Sequence, residues 1–220
     1  MIIKSFGCSF IFGTDLADLA TFDPSGSRLT WPALLAHSRG VDYTCHAYPG
    51  AGNLQILEQI LNQAAHNEQP AVFVIGWTWI DRFDYHPVNP NYSGPLGAWN
   101  TIMPGDKNNI ANMYYRELHS EYRDKFTNLG YIKLAIDTLK QKQIPFVMTY
   151  MDELLFDQRW NTSAAVKDLQ QYVQPCMTKF DGHSFLEWSR LNGYPETTSW
   201  HPLESAHAAA AILINSYNLV

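Results

Sequence analysis

The chain has 220 residues, enough to bury one substantial core, and its length alone does not require a second domain. Its hydrophobic content is 46%, but no run approaches the roughly 18 apolar residues of a membrane span, so no membrane partner is expected. The net charge is −6 and the 15 Lys and Arg residues are dispersed, which argues against nucleic acid as a partner, because a duplex footprint needs a clustered basic face.

Strand-like and helix-like segments alternate along the whole length, predicting an α/β fold around a parallel sheet of about five strands. The first strand spans about 2–6. Thr30-Trp31-Pro32 reads as a helix start with proline in the first turn, and residues 41–47 read as a second strand. The turn residues 48–53 precede a helix that carries Leu54, Leu57, Ile60, Leu61 and Ala64 on one face. Ala71-Val72-Phe73-Val74-Ile75 is a continuous apolar run, as a strand covered on both faces requires.

An aromatic-rich insertion then occupies about 77–112, with Trp77, Trp79, Tyr85, Tyr92 and Trp99 among prolines, glycines and asparagines. Loops of this length are usually functional, and aromatic faces with amides between them suit sugar rings; the alternative is a local mini-core. A helical pattern from Leu118 to Leu139, with Gly130 as a candidate break, leads to a fourth strand over 145–150. Residues 164–177 read as helix, 184–188 as a fifth strand or a helix start, and about 203–217 as the last helix.

Two positions carry chemistry. Ser9 lies in Gly7-Cys8-Ser9-Phe10-Ile11-Phe12-Gly13, just past the first strand, where glycines let the backbone bend. His201-Pro202 stands before the last helix. A serine hydroxyl needs a base to take its proton, so a histidine folded back beside it is the minimum equipment for acyl transfer. The two groups are expected roughly 3 Å apart across a shared cleft. Cys8 is the alternative nucleophile and His207, on an apolar helix face, the alternative histidine.

The segment 7–13, the turn 48–53, Gly76-Trp77-Thr78 and His201-Pro202, in that order, resemble the successive sequence blocks of the SGNH (GDSL-like) hydrolases. The resemblance runs across nearly the full chain and implies a single domain over 1–220, a three-layer α/β/α sandwich of flavodoxin-like type. It implies a serine ester hydrolase or acyltransferase working through an acyl-enzyme on an O-acyl, foremost O-acetyl, ester. It assigns Ser9 as nucleophile and His201 as base, and places the oxyanion hole at the Ser9 amide with Gly52, Asn53 and Thr78.

Two departures stand out. Thr78 occupies the place of the family's asparagine, and Thr198 that of the aspartate three residues before the histidine. Glu204, Asp181 or Asp15 could orient His201 instead; a Ser–His dyad and a binding-only relic are the other readings. The alternative function is therefore a non-catalytic carbohydrate-binding or assembly protein on the same scaffold. Trp77, Trp79, Asp81 and Arg82 are the candidate substrate contacts, the last two as a pair for an acidic group.

The eight histidines do not cluster with carboxylates or cysteines at ligand spacing, so neither metal nor cofactor is expected. Cys8, Cys45 and Cys176 read as reduced thiols. The first residues lack the basic head and apolar stretch of a signal peptide, and the chain is expected to be cytoplasmic. Asn91-Tyr92-Ser93 and Asn161-Thr162-Ser163 are read as chance matches to glycosylation acceptors on that ground.

Overall fold

The computed structural model describes residues 1–19, 21, 23–67, 69–88, 99–159 and 163–217. Tyr92 and both glycosylation-like triplets, apart from Ser163, lie outside the described residues.

The continuous apolar runs become the middle of a parallel sheet. Strands β1 (Ile2–Gly7) and β3 (Ala71–Trp77) are buried at every position and pair with each other, with Gly7 opposite Gly76. β2 (Asp42–Cys45) flanks β1 and β6 (Phe146–Tyr150) flanks β3, so the order is β2-β1-β3-β6 and all pairs are parallel. Between β3 and β6 the chain forms a separate antiparallel pair, β4 (Phe83–Tyr85) and β5 (Asn100–Ile102).

Because strand side chains alternate between faces, β1 and β3 feed two cores. Ile2, Phe6, Phe73, Ile75 and Trp77 point into one, with residues of helices α3 (Asn53–Ala65), α5 (Glu121–Gln141) and α6 (Ala164–Val173). Ile3, Val72 and Val74 point into the other, with α2 (Trp31–Ser38), α7 (Phe185–Leu191) and α8 (Glu204–Ser216). The result is a three-layer α/β/α arrangement. Among the described residues, no helix is long and apolar enough to cross a membrane.

Among the described residues the sheet has four strands, close to the five or so expected. Beyond β6 stands an isolated parallel bridge, Met148 to Met177, with the Thr178 N–H donating to the Met148 carbonyl at 2.7 Å. Residues 184–188, readable either way, are helical: Ser184 caps α7 by accepting from the Glu187 N–H at 3.3 Å. The pattern 118–139 is not broken at Gly130. The break lies earlier, where α4 (Asn109–Glu117) ends and Ser120 caps α5.

Trp77 belongs to the main core, fully buried, and Tyr85 packs with Phe83 and Tyr115 around Ile102, Ala111 and Tyr114 in a small cluster of the insertion. Trp99 donates its indole N–H to Glu58 on α3 at 2.6 Å. Trp77, Tyr85 and Trp99 therefore pack or anchor the insertion, in line with the mini-core alternative.

Candidate active site

The chain passes from β1 outward to β2, then back across to β3 on the other side of β1. Open parallel sheets place ligands at such a switch, beyond the carboxyl ends of the strands. Ser9 follows β1 there, and Thr78 to Arg82 follow β3.

The glycines around Ser9 have separate physical tasks. Ser9 opens α1 (Ser9–Phe12), a single turn laid across the ends of β1 and β3. A Cβ on Gly7 would come within 2.6 Å of Ile11 and 2.9 Å of the Gly76 carbonyl, and one on Gly76 would also meet Ile11 at 2.6 Å. Only glycines let this turn sit so close to the sheet. Gly13 closes the turn at φ +84°, in the left-handed region, and its N–H returns to the Ser9 carbonyl at 2.8 Å.

Two residues beyond Gly13 stands Asp15, itself left-handed at φ +73°. Its Oδ2 lies 2.7 Å from His201 Nδ1, and His201 Nε2 lies 2.9 Å from Ser9 Oγ. With the Nδ1–H donated to the carboxylate, Nε2 is left to accept the Ser9 hydroxyl proton. The structure thus brings Ser9, His201 and Asp15 into one hydrogen-bonded chain.

The segment holding His201 is braced on the same carboxylate. Ser199 Oγ donates to Asp15 Oδ2 at 2.7 Å and Thr197 Oγ1 at 3.2 Å, while the His201 N–H donates to Thr197 Oγ1 at 3.2 Å. The hydrogen bond from His201, then that from Ser199, holds the Asp15 carboxyl below its ordinary range against the opposing effect of burial. Phe10 meets the imidazole edge-on, with ring centroids 5.1 Å apart.

The other acids considered for His201 are engaged elsewhere. Glu204 accepts from the Ala17 N–H at 2.8 Å, and Asp181 from the Trp188 indole at 3.0 Å. Thr198 is exposed. His207 is buried under α2, where its Nδ1 accepts the Trp31 N–H at 3.1 Å. Cys8 is buried at the N-cap of α1.

The residues expected to form the oxyanion hole are arranged differently. The Gly52 N–H donates to Asp84 Oδ1 at 2.9 Å, and a Cβ at Gly52 would meet that carboxylate at 2.5 Å. The Asn53 amide bonds both backbone groups of Thr78, accepting from its N–H at 2.8 Å and donating to its carbonyl at 3.1 Å. It also donates to Asn128 Oδ1 at 2.8 Å. Thr78 is fully buried, its hydroxyl has no hydrogen-bond partner among the described residues, and it does not line the cleft at Ser9. The Gly52 amide and the Asn53 side chain are therefore already bonded. The Ser9 N–H stands in the first turn of α1, which supplies it no acceptor, and so remains a candidate donor beside the nucleophile.

A cleft of about 280 Å³ opens over Ser9 and His201. Of the expected substrate contacts, Trp79, Asp81 and Arg82 line it and Trp77 does not. It also holds Met103, Pro104 and Trp200, which the sequence reading passed over. Trp200 is 58% exposed and left-handed at φ +67°, so a large apolar ring is kept in solvent next to His201 by a backbone shape unusual for it. Its adjacency to His201 in sequence was the available signal. Among the described residues, no group of three or more His, Cys, Asp or Glu side chains is placed to hold a metal ion.

A scan of protein-family models and a search of curated proteins gave no match to this sequence. Solved structures do match across the full length. The chain is similar to a lipolytic protein of the G-D-S-L family from Veillonella parvula (TM-score 0.53, 12% identity, 98% of this chain and 97% of that one). It is similar to a putative G-D-S-L lipolytic protein from Desulfitobacterium hafniense (TM-score 0.52, 10% identity, 100% and 99%). An acetyl xylan esterase, AlAXEase, matches at TM-score 0.51 and 9% identity over 99% of both chains. At such identities the likeness is one of fold alone: the chain shares the α/β/α fold of these proteins in a divergent sequence.

Proposed function

We propose that this protein is a serine ester hydrolase or acyltransferase with Ser9 as nucleophile, His201 as general base and acid, and Asp15 as the carboxylate that orients the imidazole. The unbroken chain from Ser9 Oγ through His201 to Asp15 Oδ2, at the floor of an open cleft, carries this reading. Ser9 Oγ attacks the ester carbonyl carbon while its proton passes to His201 Nε2. The tetrahedral intermediate collapses, and His201 returns that proton to the departing alcohol, leaving an acyl group on Ser9. Water, or an acceptor alcohol, then gives a proton to His201 and attacks the acyl carbon, and Ser9 recovers its proton as the acid or new ester leaves. The Ser9 N–H faces the negative charge that develops on the carbonyl oxygen.

The acyl group we propose is a small one such as acetyl, with a carbohydrate as its alcohol. Trp79 and Trp200 on the cleft support a ring substrate, and the likeness to an acetyl xylan esterase is consistent with it. A non-catalytic binding role is the second reading, favoured by the Gly52 amide and Asn53 side chain being bonded within the protein. Release of nitrophenol from 4-nitrophenyl acetate separates the two. Turnover by the native chain that is lost in both Ser9→Ala and His201→Ala is expected; turnover unchanged in Ser9→Ala would remove the nucleophile assignment.

A further inference from the structure

Arg82 stands apart in the cleft. Its Nη1 donates to the Ala51 carbonyl at 3.0 Å, and its guanidinium carbon lies 5.1 Å from the centroid of the Trp79 ring. Among the described residues it forms no ion pair with a carboxylate. A guanidinium offers five N–H donors in a planar fork that matches a carboxylate, and among the described residues one of the five is taken. The chain carries 21 acidic and 15 basic residues, so an unpaired cation beside the nucleophile runs against the overall charge.

The acids around it do not neutralise it by contact. Asp84 and Asp124 share with Arg82 a small cavity of about 30 Å³. Asp84 is bonded to Gly52, Gln55 and Thr101, and Asp124 to His119 and Arg123. Asp81 lines the cleft itself without a salt bridge to Arg82; burial and then Asp152 push its carboxyl above the ordinary range, and the charge of Arg82 opposes that shift.

We propose that Arg82 is an anion-recognising group of this cleft, so that the ester taken by the protein bears a carboxylate on its alcohol or acyl part. The proposal rests on the reading of Ser9 as the nucleophile of an ester reaction. Stacking on Trp79 and the bond to Ala51 hold the fork before ligand arrives, which lowers the ordering cost of a two-point hydrogen bond.

Binding is measured in Ser9→Ala by titration calorimetry with 4-acetoxybenzoate and with its neutral methyl ester. The carboxylate is expected to bind about tenfold or more tightly than the methyl ester. That preference should shrink as NaCl rises from roughly 0.05 to 0.5 M, a readout that needs no change at Arg82. Ser9→Ala/Arg82→Gln should lose the preference and Ser9→Ala/Arg82→Lys retain part of it. Equal affinities, binding of neither probe, a preference insensitive to salt, or one that survives Arg82→Gln would overturn the proposal. Acetate release from the methyl ester by the native chain reports on the ester reading separately: turnover without a charge preference removes only the role of Arg82, and a preference without turnover removes only the nucleophile.

Discussion

At the scale of single residues, Asp15 supplies from the front of the chain the carboxylate that Thr198 cannot. The Gly13 turn and the left-handed backbone at Asp15 aim its Oδ2 at an imidazole 186 positions away in sequence. Asn at this position keeps the size but loses the charge that stabilises the imidazolium, and its amide can select the wrong ring tautomer. Asp15→Asn is therefore expected to lower kcat on 4-nitrophenyl acetate by about 10³–10⁴, with little change in KM. Ser199→Ala removes one of the carboxylate's supporting donors and leaves Thr197, so a loss of about tenfold or less is expected. Steady-state kinetics on the two variants should show that ordering; equal kcat in Asp15→Asn and the native chain would leave His201 without its orienting acid.

At the scale of elements, the loop and hairpin after β3 decide what the start of α3 can do. Asp84 on β4 reaches across to accept from the Gly52 and Gln55 N–H groups at 2.9 Å each, and Thr101 on β5 donates to it at 2.6 Å. Burial pushes this carboxyl up, while those hydrogen bonds oppose the shift. The hairpin thus supplies the anionic cap that α3 lacks from its own N-cap, Gly52. Truncation leaves buried N–H groups without an acceptor, so Asp84→Ala should cost about 2–4 kcal/mol in urea unfolding, and a cost near zero would contradict the capping role.

This long-range cap also marks where sequence reading stops. Apolar runs located β1, β3 and β6, and apolar periodicity α3 and α8, because each element's burial is spelled out by its own residues. Gly52 and Asn53 were read from a local turn, and nothing within that turn says that a carboxylate thirty-odd residues later will take the Gly52 amide. Asp15 stayed one of three acids for the same reason: its pairing depends on how 197–201 folds back. For α7, Ser184 and Glu187 form an N-terminal capping pattern that could have decided helix over strand.

At the scale of the whole molecule, one contribution to acid stability comes from a histidine that plays no part in the proposed chemistry. His207 is sealed between α2, α7 and α8, with Phe185 at 4.8 Å between ring centroids and Trp31 donating to its Nδ1. Burial, then the nearby His201, push it down to about 3 from an ordinary 6.5. The unfolded chain therefore binds a proton in that interval which the folded chain refuses. Stability from this group is complete above pH 6.5 and declines as pH falls toward 3, where it levels off. Asp81, Asp84, Asp124 and Asp152 act in the opposite sense: their carboxyls are raised by burial, so folding gains as they protonate.

A single acid-unfolding curve mixes these trends, and the difference between two chains separates them. His207→Gln keeps an acceptor for the Trp31 N–H and removes the titrating ring, at a packing cost that does not depend on pH. Unfolding free energies of both chains, measured at intervals from about pH 7.5 to 4, should converge or cross as the native chain loses its histidine contribution, which is of order a few kcal/mol. Parallel curves would mean that His207 is protonated within the folded protein, and the seal between α2 and α8 would have to open in acid to admit that proton.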